Sequence, residues 1–264
     1  MHDGNVMNGK VIEQTVDYVK LSTINYGVLT LKTSLIKKIR KAQPTKDGQR
    51  VYWHENIQSA RYFWAPNGYG LNKGEGYYQN YWVLFNQFSY GFSNKFTLGI
   101  GIMPLFLFGG GAPTPIWITP KFSFPVVENK FNIGAGGIIG TILGDDGFGF
   151  GLAYATTTFG SRDKNISIGL GWGYADGDWA DSPLINISGI ARVGNKGSFI
   201  LTENYFIALG SGQYLTIISL GGRSLVKSVS IDYGLFVPIN KEIDSFFAIP
   251  WLGITIPFES KNKK

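Results

Sequence analysis

Few side chains of this 264-residue chain are spaced to do covalent chemistry. The hydrolytic chemistry of lipases and lipopolysaccharide-modifying barrels needs a base such as His near a Ser or carboxylate in the barrel wall. The two histidines, His2 and His54, both precede the strand-rich part, so no His is available from residue 60 onward. That argues against a His-dependent hydrolase, and no carboxylate cluster stands in its place. Asp176, Asp178 and Asp181 could offer oxygens to calcium, but they lack the alternating ligands, Gly and distant Glu of an EF-hand loop. A plain Asp-Gly turn accounts for them. Gly99-Ile100-Gly101 resembles half of a nucleotide loop, yet no helix start follows it. Cysteine is absent, which removes disulfides and thiolate metal sites. The expectation is a protein without enzyme activity, metal or cofactor.

The remaining candidates are charges set within alternating apolar stretches: Lys121, Arg192, Glu203, Arg223 and Asp232. Lys121, Arg192, Arg223 and Asp232 share parity with small or polar neighbours. Glu203 shares it with Phe199, Leu201 and Tyr205, so a bulge near Thr202 is expected to turn it to the polar side. What these groups do depends on the elements that carry them.

Those elements are strands. Residues 165–178 read NISIGLGWGYADGD. Ile166, Ile168, Leu170, Trp172 and Tyr174 fall on one parity, and Ser167, Gly169, Gly171 and Gly173 on the other. A soluble sandwich would make its second face charged. A bulky face opposite a glycine face instead suits a membrane barrel, with apolar groups toward lipid and small groups in the lumen. Composition agrees with an all-β chain, with 36 Gly, 14 Tyr, 19 Phe and 7 Trp and only 16% charged residues, against about 25% in soluble proteins. Mean hydropathy is +0.02, and no apolar run approaches the ~20 residues of a spanning helix. The net charge of +6 comes from lysines scattered through turns and termini, which does not make a nucleic-acid surface.

Twelve strands are expected, at residues 61–69, 80–92, 96–108, 116–127, 131–143, 148–159, 166–176, 184–193, 198–209, 214–225, 229–239 and 246–258. An even number near ~10 residues each fits a bacterial barrel. Connections alternate between short basic turns (93–95, 128–130, 162–165, 194–197, 227–228) and mostly longer loops (70–78, 109–115, 144–147, 177–183, 210–213, 240–245). The longer set is rich in Gly and Pro and includes Asp145, Asp146, Asp178 and Asp181. With the first strand rising from the periplasm, both chain ends lie there and the longer loops lie outside. Pro104, Pro120, Pro125, Pro238, Pro250 and Pro257 should mark bulges or boundaries, because each removes a ladder donor.

Arg61-Tyr62-Phe63-Trp64-Ala65-Pro66, the run from Gly68 to Asn80, Phe159-Gly160-Ser161-Arg162-Asp163 and Thr202-Glu203-Asn204-Tyr205 resemble a group of uncharacterised outer-membrane β-barrel proteins of Bacteroidetes-type bacteria, over residues 56–258. The resemblance implies fold and location, and carries no activity with it. Its most specific piece, with Lys73, Glu75, Tyr77, Tyr78 and Asn80, is expected as an outer loop that stacks Tyr77 and Tyr78 on the barrel rim. The final strand closes on Phe258, similar to the assembly signal of such barrels, before a polar tail.

The expected organisation is a small SH3-like β unit at residues 1–41, a linker at 42–59, an antiparallel transmembrane barrel at 60–258 and a C-terminal tail at 259–264. The first residues lack a signal peptide, as a mature form would. The N-terminal unit reads either as a periplasmic plug or adaptor, or as an extension packed on the barrel mouth. The expected protein is an outer-membrane barrel with a structural or accessory role, in contact with lipid, lipopolysaccharide and other outer-membrane proteins, but not nucleic acid. In that reading the lumen charges form an ion-pair network filling a closed barrel. The alternatives are a weakly selective channel, in which the same charges form a constriction, and a soluble all-β binding protein.

Overall fold

The computed structural model describes residues 1–3, 5, 7–37, 39, 43–44, 50–51, 55–109, 112–144, 147–194, 197–210, 212–226, 228–242 and 245–259. His54, Asp145, Asp146 and all but the first residue of the expected tail lie outside that set. The chain forms two compact units, Met1–His54 and Glu55–Lys264.

The first unit contains a three-stranded antiparallel meander of β1 (Lys10–Gln14), β2 (Tyr18–Thr23) and β3 (Gly27–Lys32), followed by a single 3-10 turn at Thr33–Leu35. A bulge between Val11 and Glu13 shifts the β1–β2 register. Val19 and Leu21 of the central strand are its buried apolar side chains among the described residues. At the surface, Glu13 accepts from Tyr18 Oη at 2.7 Å and pairs with Lys20 at 2.8 Å. These hydrogen bonds hold the Glu13 carboxyl below its ordinary value.

The second unit is a barrel of twelve strands: β4 (Glu75–Tyr81), β5 (Phe85–Gly91), β6 (Phe96–Ile102), β7 (Thr114–Val127), β8 (Phe131–Leu143), β9 (Gly149–Ser161), β10 (Lys164–Ala175), β11 (Leu184–Val193), β12 (Ser198–Gly210), β13 (Gln213–Val226), β14 (Val229–Ile239) and β15 (Ile249–Glu259). Each strand is antiparallel to its neighbours in sequence, and the pairing of β15 with β4 closes the ring. The alternation along residues 165–178 sets the faces. On β10, Ile166, Ile168, Leu170 and Trp172 are exposed outward while Asn165 and Ser167 are buried inward. Phe88, Ile100, Phe122, Ile139, Ile200, Leu220, Leu235 and Leu252 extend the apolar surface round the ring. Soluble monomers rarely expose contiguous apolar patches beyond a few hundred Å², so this surface belongs in a bilayer. Ring pairs Phe96–Phe122 and Phe131–Phe159, with centroids 4.9 and 4.8 Å apart, mark the short-turn end, and Tyr174–Trp179 at 5.4 Å marks the loop end. Two such girdles are what membrane interfaces favour.

The strand count agrees with the sequence reading through two compensating differences. Residues 61–69 are not a strand; apart from an isolated bridge between Arg61 and Pro66 they are irregular. Residues 80–92 are not one strand either, because Tyr81 pairs with Phe85 across the tight connection Trp82-Val83-Leu84. Trp82 and Val83 hold φ of 49° and 64° there, a left-handed pair that a turn without Gly or Asn does not announce. Losing one strand and gaining another preserves the phase of all later connections. Farther on, 96–108 ends as a strand at Ile102 and continues into a 3-10 turn, Leu105–Phe108. Pro104 caps that turn, while Pro125 sits beside the bulge at Phe131 and Asn132.

Candidate functional site

Residues 55–72 run inside the barrel. Asn56, Gln58, Tyr62, Phe63, Asn67 and Leu71 are all buried. With no ladder of its own, this segment carries buried backbone donors and acceptors that need partners from the wall. The wall meets them with side chains, and the charges singled out from the sequence do most of it.

Arg223 on β13 is fully buried and forms a two-pronged pair with Asp232 on β14, Nε to Oδ1 at 2.7 Å and Nη2 to Oδ2 at 2.8 Å. Its remaining N–H groups donate to Gln58 O at 2.8 Å, Tyr62 O at 2.6 Å and Asn56 Oδ1 at 3.2 Å. Asp232 thereby neutralises and aims the guanidinium, and the guanidinium grips the segment. Glu203 on β12 works in the opposite sense. Its Oε2 accepts from the backbone N–H of Trp64 and Ala65, both at 2.9 Å, and its Oε1 accepts from Tyr205 Oη at 2.7 Å. Lys121 on β7 donates from Nζ to the carbonyls of Ala60 at 2.8 Å and Tyr69 at 2.6 Å. Arg192 instead binds Asp163 in the β9–β10 turn with two bonds of 3.0 Å and lies 4.4 Å from the Phe199 ring centre. Four of the five candidate charges thus converge on the inner segment, directly or through their partner.

The bulge expected near Thr202 is absent. β11 and β12 keep unbroken register from Ser198 to Phe206, and Glu203 points inward together with Phe199, Leu201 and Tyr205. Phe199 and Leu201 are buried against the segment's Tyr62 and Phe63. The large residues on that parity face a protein core, not lipid, because the lumen is filled.

The outer-loop motif is placed elsewhere too. Lys73 N–H donates to Asn94 Oδ1 at 2.9 Å, beside a short turn, and Glu75 to Asn80 belong to β4. Tyr77 is inward and buried, whereas Tyr78 faces outward with Phe88, ring centres 4.9 Å apart, and donates to Asn86 at 2.6 Å.

Neutral groups complete the grip. Tyr62 Oη lies 2.6 Å from both Asn165 Oδ1 and Ser167 Oγ, so the polar face of β10 serves as a docking row. Thr158 Oγ1 accepts from Gly68 N–H at 2.6 Å, and Thr97 Oγ1 from Leu71 N–H at 3.1 Å. Gly68 passes so close to β8 that a Cβ on it would stand 2.7 Å from the Asn132 carbonyl oxygen. Arg162, in the turn, donates to Ser59 Oγ at 2.8 Å and Gly70 O at 3.0 Å. Burial lowers its guanidinium from the ordinary value. Sequence reasoning missed this segment. The Pro66-Asn67-Gly68 punctuation inside a supposed strand was the available signal.

The segment fills the short-turn half of the lumen, and the loop-end half is different. Along β12, Phe199, Leu201 and Glu203 are buried, but Tyr205 and Ile207 retain exposure. Inward glycines there make room for rings of the next strand. A Cβ on Gly101 would lie 2.1 Å from the Trp117 ring, and one on Gly140 would lie 2.4 Å from that of Phe150. The glycine face therefore seats aromatic side chains flat against the wall.

No family model and no curated protein matches the chain. Among solved structures, an in-vitro folded OmpT, an outer membrane protein of Vibrio cholerae in its trimer form, aligns at a TM-score of 0.34 with 12% identity, over 67% of this chain and 64% of that one; the chain thus spans a little under two thirds of that protein's length.

Proposed function

We propose that the protein is an integral outer-membrane barrel with a structural or accessory role, its lumen closed by residues 55–72 of its own chain. The short basic turns then face the periplasm and the longer loops face outside. The observation that carries the reading is the grip on the inner segment. Arg223, Glu203 and Lys121 spend hydrogen bonds on its backbone, which makes it part of the core. The lack of any His from residue 60 onward supports a role without acyl hydrolysis. Planar-bilayer recording tests the closed lumen. The full-length protein should insert silently, and an open, salt-dependent pore in the unaltered chain would overturn it.

A further inference from the structure

Wall and segment leave a cavity of about 570 Å³ in the loop-end half of the lumen, within the ~300–1,000 Å³ usual for small-molecule sites. Trp82, Phe85, Trp117, Phe150, Leu152 and Trp251 make its apolar wall, and the turn bridged by Arg61 and Pro66 makes its floor. Its polar lining falls into two groups. Gln87, Lys121 and Glu203 are already satisfied. Gln87 accepts from Trp117 Nε1 at 3.1 Å and donates to Ser89 at 3.0 Å, and the other two hold the segment.

Arg61, Tyr77 and Tyr154 are not satisfied. The Arg61 guanidinium is half-buried, donates from Nη1 to Gln79 Oε1 at 2.8 Å and lies 5.6 Å from the Tyr77 ring centre. Among the described residues no carboxylate pairs with it. The Tyr77 and Tyr154 hydroxyls have no hydrogen-bond partner among the described residues, and both side chains line the same cavity as Arg61. A half-buried guanidinium with no carboxylate partner suits an anion, and its planar fork matches a carboxylate.

We propose that this cavity binds an amphiphilic carboxylate, with its hydrocarbon body in the aromatic cup and its head on Arg61, Tyr77 and Tyr154. The inference rests on the closed-lumen reading, because the inner segment supplies both Arg61 and the floor. Full-length protein in amphipol, free of micelles, is titrated with bromine-labelled dodecanoate, whose heavy atom quenches the tryptophans of the cup. Saturable quenching is expected. Arg61→Gln should weaken it by roughly 10- to 100-fold, the worth of a hydrogen-bonded charge, and Tyr154→Phe by a smaller factor without disturbing the segment. Leu152→Phe, which fills the cup, should abolish saturation. The matching alcohol should bind weakly and ignore Arg61→Gln. Equal binding of acid and alcohol, or quenching untouched by all three variants, would overturn the proposal, and so would preference for a phosphate-headed lipid of the same chain length. Silent bilayers without saturable quenching sink this inference alone, whereas a conducting wild type sinks the closed lumen.

Discussion

Replacing Arg223 with Met separates two jobs that the structure gives one side chain. The substitution strands Asp232, 2% exposed, with Ser230 Oγ alone among the described residues' side chains still donating to it, at 3.2 Å. It also removes the donors to Gln58 O and Tyr62 O. Breaking a buried pair from one side costs about 3–5 kcal/mol, because a charge stays behind without its partner. A domain of this size shifts by about 2–4 °C per kcal/mol, so the melting transition should fall by roughly 6–20 °C. The double variant Arg223→Met with Asp232→Leu removes both charges and should recover the share of that loss due to the stranded carboxylate, while the carbonyls of Gln58 and Tyr62 stay without their donors. The inner segment, however, loses its donors in both variants. Trypsin cleavage after Arg61 should therefore accelerate equally in the two, and both should leak in bilayers. Heat-modifiable migration on a denaturing gel gives the stability, and timed proteolysis gives the segment's release. A single variant as stable and as protease-resistant as the unaltered chain would show that the clamp holds nothing. A double variant as unstable as the single one would refute the stranded-charge argument.

The other predictions test the faces, the close approach and the strained turn. Leu170→Arg puts a charge on the lipid face at about 2–4 kcal/mol near midplane, while at Gly171 a new Cβ meets only the movable ends of Leu152 and Leu184 at 3.1–3.5 Å. Folding yield into detergent should fall sharply for the first and barely for Gly171→Ser, and equal yields would reverse the face assignment. Gly68→Ala forces the segment off the Asn132 backbone and should cost about 1–3 kcal/mol, as overpacking does, visible as faster trypsin cleavage. Tyr62→Phe leaves Asn165 and Ser167 short of a partner and should cost about 1–3 kcal/mol in the melting transition. Val83 is largely exposed at a φ of 64°, so Val83→Gly should raise the melting transition by about 1 kcal/mol, the strain of a branched residue there.

Lipid-facing order was legible because lipid imposes one rule on every strand. Ile166 to Trp172 show it without interruption, and the final run to Phe258 does so again. Inward order was harder, because the lumen has two environments. Where it holds the inner segment, a core is needed, so Phe199 and Leu201 are large on the inner parity and Glu203 appears misplaced among them. Where it forms the cup, glycines such as Gly101 and Gly140 are small because a ring from the adjacent strand lies over them. Periodicity sees both as exceptions to a polar lumen. The inner segment left no periodic trace because its hydrogen bonds go to wall side chains, with no neighbouring strand to impose a period of two. The turn at Trp82 and Val83 stayed hidden for another reason: packing of Trp82 against Trp251, ring centres 4.9 Å apart, holds a conformation that local sequence disfavours.

The two halves of the lumen also constrain each other. The segment's carbonyls and N–H groups satisfy Arg223, Lys121 and Glu203, and those side chains in turn replace the ladder that the segment lacks. Neither partner can be withdrawn alone without leaving buried polar groups unmet, each at about 1–3 kcal/mol. Opening the barrel by sliding the segment out would break at least the bonds at Gln58, Ala60, Tyr62, Trp64, Ala65 and Tyr69 together. Water entering the vacated half would repay part of that by hydrating the exposed charges, but only after the segment had left. The barrier is therefore cooperative, and binding in the cup acts on it in one direction. A ligand that needs Arg61 and the floor for its own contacts binds only the closed state, and so stabilises closure in proportion to its occupancy.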